Sequence, residues 1–103
     1  MRPHHAVPFI LTLLLASQAQ AQSAYAPPAG RLLASNCFQC HGTNGRAVAG
    51  FEALAGKSAK EIYSELTEMR RPGEDKGIMT VHALGYTDAQ LRAIANYLGT
   101  QPR

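Results

Sequence analysis

The chain has 103 residues, with 10 Lys and Arg against 7 Asp and Glu, four His, a formal net charge of +3 and a sequence pI near 9.1. Its two cysteines exclude a disulfide framework, and no basic run exceeds Arg70-Arg71, so the mild positive charge does not amount to a nucleic-acid footprint. A chain this short forms one small domain whose limited core usually needs a metal, a disulfide or a cofactor as a staple.

The head Met1-Arg2-Pro3-His4-His5 is short and weakly basic, and an apolar run follows from Ala6 to Ala16. Ala19-Gln20-Ala21 then fits a small-residue cleavage site, so residues 1–21 read as a secretory signal peptide and residues 22–103 as the mature domain. The apolar run falls short of the roughly 20 residues needed to span a bilayer, so no membrane insertion is expected once the signal is removed. Cleavage leaves nine basic and seven acidic residues, a net of +2.

Gln22 to Pro28 is a polar, proline-containing tail, and Pro27-Pro28 sets up a helix running from Ala29 through Asn36 into Cys37. There the chain reads Cys37-Phe38-Gln39-Cys40-His41. Cys-x-x-Cys-His is the spacing of covalent haem attachment: two thiols reach two vinyl groups, and the following imidazole is delivered to the iron. A redox disulfide, half of a zinc site or two buried thiols would use the same residues. Zinc wants four protein ligands, or three and a water, whereas outside the motif the mature chain offers only His82 and no further cysteine. A thioredoxin-like dithiol wants a βαβ context, which is missing. Export fits the haem reading, because bacterial c-type haem is attached outside the cytoplasm; the expected location is the periplasm.

Gly42, Gly45, Gly50 and Gly56 mark the next segment as loop. Ser58-Ala59-Lys60-Glu61 has the form of a capping box, opening a helix with Ile62, Leu66 and Met69 on one face and Glu61, Glu65 and Glu68 on the other. Pro72-Gly73 stops it, and residues 71–85 read as irregular, with Ile78-Met79 their apolar part. Thr87-Asp88-Ala89-Gln90 is a second capping box, and Leu91, Ile94, Ala95 and Leu98 stripe the last helix up to Gly99. Lys57, Lys60, Arg70, Arg71 and Lys76 are interleaved with acidic residues and read as a mixed, solvated surface. The expected fold is all-α, three to four helices wrapped around one covalent haem.

These elements, in this order, resemble a small single-haem class I cytochrome c. The resemblance implies an N-terminal helix crossing a C-terminal one, with Leu33, four before the first cysteine, packing against Tyr97. The family's usual glycine stands eight before that cysteine, where this chain has Ala29, and Gly30 lies one residue later. It also implies a methionine as the sixth iron ligand from the loop before the last helix, a place that Met79 occupies. Met69 sits on a helical apolar stripe, where a methionine is more often core. His82 would give bis-histidine ligation, and an open or water-filled position is a third possibility. With His41 proximal and Met79 distal, the iron would shuttle one electron and bind no substrate, and the soft thioether would favour the reduced state. No proline precedes Leu54-Ala55-Gly56, where many relatives use a proline carbonyl to accept the proximal histidine's N–H; a carbonyl among residues 51–53 is expected to serve instead.

Within the family, residues 54–59, Ile78-Met79 and residues 85–91 resemble the cytochrome subunits of flavocytochrome c sulfide dehydrogenases and their single-domain relatives. That resemblance implies a flavoprotein partner that oxidises a reduced sulfur compound. A soluble shuttle between a membrane complex and a terminal oxidase or reductase is the other carrier reading. A haem enzyme or ligand sensor would need an open iron and distal acid/base groups, for which residues 78–85 offer only His82.

Overall fold

A computed structural model of the chain describes residues 28–48 and 50–103; the expected signal peptide, residues 1–21, and most of the tail after it lie outside the described residues. Helix α1 (Ala29–Ala34) starts directly after Pro28, whose carbonyl accepts hydrogen bonds from the amides of Arg31 at 2.9 Å and Leu32 at 3.3 Å. The path then tightens into a 3-10 turn over Ser35–Cys37 and resumes as α2 (Phe38–His41). The Cys37–His41 motif is therefore itself helical, and the helical run continues to His41. Gly42, with φ of 78°, turns the chain out of it, a conformation that a side chain would strain.

Helix α3 (Ala59–Glu68) has Ser58 at its cap, with the Ser58 hydroxyl accepting from the Glu61 amide at 3.2 Å. Among the described hydrogen bonds the return half of a capping box, from the Ser58 amide to the Glu61 carboxylate, is not formed, so this cap is one-sided. The complete box is at α5 (Asp88–Leu98): the Gln90 amide donates to Thr87 Oγ1 at 3.2 Å and the Thr87 amide to Gln90 Oε1 at 2.9 Å.

One expectation is corrected. Residues 71–85 are not all irregular, because Ile78–Leu84 forms a two-turn helix, α4. Its start is built from loop contacts: the Gly77 amide donates to Asp75 Oδ1 at 2.8 Å and the Lys76 amide to Thr80 Oγ1 at 2.9 Å, with Gly77 at φ 62° as the cap. No Ser, Thr, Asp or Asn stands at that cap, and Ile78, Thr80 and Val81 are β-branched, so neither signal from which a helix is read was present.

Helix α5 is the centre of the domain. Its Leu91, Ile94, Ala95 and Leu98 are at most 1% exposed and form the core with Ala34, Leu54 and Ile62. Leu33, Tyr97, Tyr63, Leu66 and Phe38 pack around that cluster. Helices α1 and α3 both rest on α5. At the α1–α5 crossing a Cβ on Gly30 would press on the Ala93 carbonyl oxygen and stand 2.9 Å from Tyr97 Cβ. The close approach thus centres on Gly30, one residue later than the family's usual position. The described residues contain no strand, and the expected all-α class is observed. No helix among them is long and apolar enough to cross a membrane.

Candidate haem-binding site

A cleft of about 210 Å³ opens between α2, α3, α4 and α5. Cys37, Cys40 and His41 line it from the motif, and Met79 and His82 from α4. Ile62 and Leu66 from α3 and Leu91, Ile94 and Leu98 from α5 supply apolar walls.

The helical turn through the motif places both thiols and the imidazole on one cavity. Cys37 is half-buried and packs on the core, whereas Cys40 is exposed, and neither is in a disulfide. Burial pushes the Cys37 thiol above its ordinary value, against a weaker pull downward from its backbone hydrogen bond. Among the described residues no group of three or more His, Cys, Asp or Glu is arranged to hold a metal ion.

His41 is fixed by its ring. Its Nδ1 lies 2.6 Å from the backbone carbonyl oxygen of Glu52, so this nitrogen carries the proton and donates it, and Nε2 keeps its lone pair for a metal. The acceptor falls within the expected residues 51–53, without a proline. Such a bond orients the imidazole and raises its basicity toward a metal.

Every candidate sixth ligand reaches the cleft. Met79 is half-buried in the first turn of α4, and His82, three residues on along the same helix, is exposed. Met69, expected in the core, is half-buried just past α3 and also lines the cavity. The α4 helix explains why Met79 and His82 share one face, since residues three apart are neighbours on a helix surface.

Three lining or supporting features carry no sequence signal that singles them out. Asn36 Nδ2 donates to the Tyr86 hydroxyl at 2.8 Å, and Tyr86 in turn donates to the Leu33 carbonyl at 3.3 Å, tying the motif helix to the approach to α5. Tyr97, at the α1–α5 crossing, donates to Asn44 Oδ1 at 2.6 Å and so holds the turn after the motif. Lys57 is not a solvated surface charge. Only 16% of its side chain is exposed, and it bridges Glu52 at 2.6 Å and Glu65 at 2.8 Å, with Glu65 facing the cleft.

Two thiols and an imidazole at the end of a helix, a thioether across the same apolar cleft and a histidine Nδ1 tied to a loop carbonyl define a class, the proteins that hold haem through thioether bonds. The cytochrome c family profile matches residues 28–102, and the chain belongs to the cytochrome c family, whose group is haem c. It is 33% identical over 70 residues to the cytochrome subunit of sulfide dehydrogenase from Chlorobaculum tepidum, covering 68% of this chain and 64% of that protein. It is 39% identical over 70 residues to the thiosulfate dehydrogenase electron acceptor of Thiomonas intermedia, covering 64% of this chain and 32% of that protein. Cytochrome c-554(548) of Halomonas halodenitrificans is 34% identical over 77 residues, 71% of this chain and 93% of that protein. The chain thus spans less than two thirds of the first two of these relatives and nearly all of the third.

Proposed function

We propose that this protein is a periplasmic single-electron carrier in which Cys37 and Cys40 hold haem c covalently, His41 is the proximal iron ligand through Nε2, and Met79 is the distal ligand. The observation that carries the reading is that all four side chains line one apolar cleft while His41 Nδ1 is committed to the Glu52 carbonyl. When bound, the haem supplies a one-electron couple between Fe(II) and Fe(III). The chain does the rest. Its thiols fix the orientation of the group, His41 is held in the tautomer that presents Nε2, and the Met79 thioether favours the reduced state. The walls of Ile62, Leu66, Leu91, Ile94 and Leu98 keep water from the ligands. A sixth position filled by Met79 leaves no place for a substrate, so electrons pass and nothing is bound at the metal. The +2 of the mature chain falls near zero with two propionates added, which leaves no field to recruit nucleic acid.

Residues 1–21 serve as a signal peptide that delivers the chain to the compartment where the thioethers form. Covalent attachment is tested by acid-acetone extraction of protein purified from the periplasm: retained haem supports it, and loss of haem to the organic phase defeats it.

The relatives named for sulfide and thiosulfate dehydrogenases support a redox partner that oxidises a reduced sulfur compound; in our reading that electron donor is a flavoprotein. The second reading is a freely diffusing carrier between a membrane complex and a terminal oxidase or reductase; the chain covers 93% of cytochrome c-554(548), a relative whose name carries no dehydrogenase. Capture with the tagged holoprotein from periplasm separates them. Co-purification of a flavoprotein that reduces the haem when sulfide is added supports the first, and a monomer reduced only by membranes supports the second.

A further inference from the structure

The segment that holds His41 has little backbone support of its own. Leu54 and Ala55 donate to the Gly45 carbonyl at 2.9 and 3.0 Å, and Gly56 donates to the Gln101 carbonyl at 3.0 Å. Among the described residues no backbone–backbone hydrogen bond involves Phe51, Glu52 or Ala53, and no proline stiffens them. Yet it is the Glu52 carbonyl that receives the His41 proton at 2.6 Å.

What anchors this peptide is a side chain. Lys57 Nζ donates to Glu52 Oε1 at 2.6 Å and to both carboxylate oxygens of Glu65, at 2.8 and 3.0 Å. Glu65 is on α3, whose Ile62 is locked into the core, so the ammonium ties the His41 acceptor loop to a rigid element. Lys57 is far from an ordinary surface pair. With 16% of its side chain exposed, burial alone would push the ammonium's pKa down, and the hydrogen bonds it donates to Glu52 and Glu65 outweigh that and hold it above the usual lysine value. The ammonium is shielded and has three acceptor atoms, while Glu52 and Glu65 stay 62% and 38% exposed, so the contact restrains geometry more than it adds stability.

We propose that Lys57 is a positioning residue for the proximal histidine, clamping Glu52 so that its carbonyl stays on His41 Nδ1 and sets the donor strength of the imidazole. The proposal rests on His41 being the proximal ligand. A firmly held acceptor gives the ring more anionic character, which stabilises Fe(III) and lowers the reduction potential. Releasing the clamp therefore raises it.

Removing Lys57 alone would also change the local charge, so the test uses the double variant Lys57→Gln with Glu65→Gln, which leaves the cluster at a net of −1, as in the native chain. Two quantities are measured on purified holoprotein: exchange of the His41 Nδ1 proton by NMR in the reduced state, and the midpoint potential. The double variant should exchange this proton about tenfold faster or more, as expected when a charge-assisted restraint is lost, and its potential should rise. Lys57→Arg should restore both toward native values. A double variant with native exchange and potential overturns the proposal, even if it melts earlier, because Lys57 would then be a stability residue only. A Lys57→Arg protein that behaves like the double variant overturns it as well. If native protein shows no iron-bound imidazole at all, the assignment of His41 fails and takes the clamp with it; a normal native spectrum with an unmoved variant defeats the clamp alone.

Discussion

Ile94→Ala removes the part of the core that is also the wall of the haem cleft. Ile94 is 1% exposed, belongs to the buried cluster and lines the cavity. The substitution deletes three carbons, which at about 0.8 kcal/mol each is a transfer loss of about 2.4 kcal/mol. A gap is left behind as well, since Leu91 and Leu98 flank it on the same rigid helix and cannot close over it. The total should be about 3 kcal/mol, within the 2–5 kcal/mol usual for such truncations. For a domain of this size that lowers Tm by about 12–24 °C. The assay is thermal melting of holoprotein followed by far-ultraviolet circular dichroism and by the haem absorbance, with Val48→Ala, at 79% exposure, as the control. Val48→Ala should move Tm by no more than a few degrees. An Ile94→Ala melt indistinguishable from the Val48→Ala melt would refute the assignment of α5 as the packing centre.

Thr87→Ala should cost about 1 kcal/mol, because it removes the Oγ1 acceptor of the Gln90 amide and leaves only the bond from the Thr87 amide to Gln90 Oε1 at the start of α5; Ser58→Ala, which likewise loses one bond, should cost a similar amount, and urea midpoints measure both. Asp88 is held below the ordinary carboxylate value, first by the Tyr63 hydroxyl that donates to it at 2.5 Å and then by Arg92 at 2.9 Å. A lowered carboxylate contributes stability that is present above its unfolded value near 3.8 and is lost as pH falls through the lower folded value. Asp88→Asn should therefore be less stable than native at pH 6, with the gap closing in acid. A gap that persists unchanged at pH 2 would show that the carboxylate's charge is not the cause. Lys57, held above the usual lysine value, contributes stability below its unfolded value near 10.5 and loses it as pH rises through the higher folded value. In alkaline titrations the difference between native protein and Lys57→Met should shrink only beyond that point, and a difference that shrinks near neutrality would contradict it.

The site was legible where chemistry dictates spacing. Cys37, Cys40 and His41 stand at the spacing that the proposed haem attachment requires, and the Leu91-Ile94-Ala95-Leu98 stripe with the Thr87 cap states its helix in the sequence. The acceptor for His41 was confined to residues 51–53 and proves to be Glu52. What was not legible depends on tertiary contact. Helix α4 starts on the loop side chain of Asp75 and on its own Thr80, without a capping side chain at Gly77, and three of its large side chains, Ile78, Val81 and Leu84, are exposed, so it has no single clean stripe. Lys57 looked like one of several surface cations because its partners lie five residues before and eight after it, separations that no helical periodicity flags. Ser58-x-x-Glu61 has the letters of a capping box but forms one of its two bonds, since composition cannot say where the Glu61 side chain will point. Met69 fits the apolar stripe of α3 and lines the cleft together with Ile62 and Leu66 of that stripe, because this face of the helix is also the cleft wall.

The ligand assignment meets its most direct test in the red-end charge-transfer band of the oxidised holoprotein, which reports methionine sulfur on ferric iron. With His41 and Met79 as ligands, native protein shows the band, Met79→Ala loses it and acquires a high-spin spectrum that shifts with low concentrations of cyanide, and Met69→Ala and His82→Ala keep it. A band that survives Met79→Ala, or a native protein that is already high-spin and binds cyanide, would contradict the account.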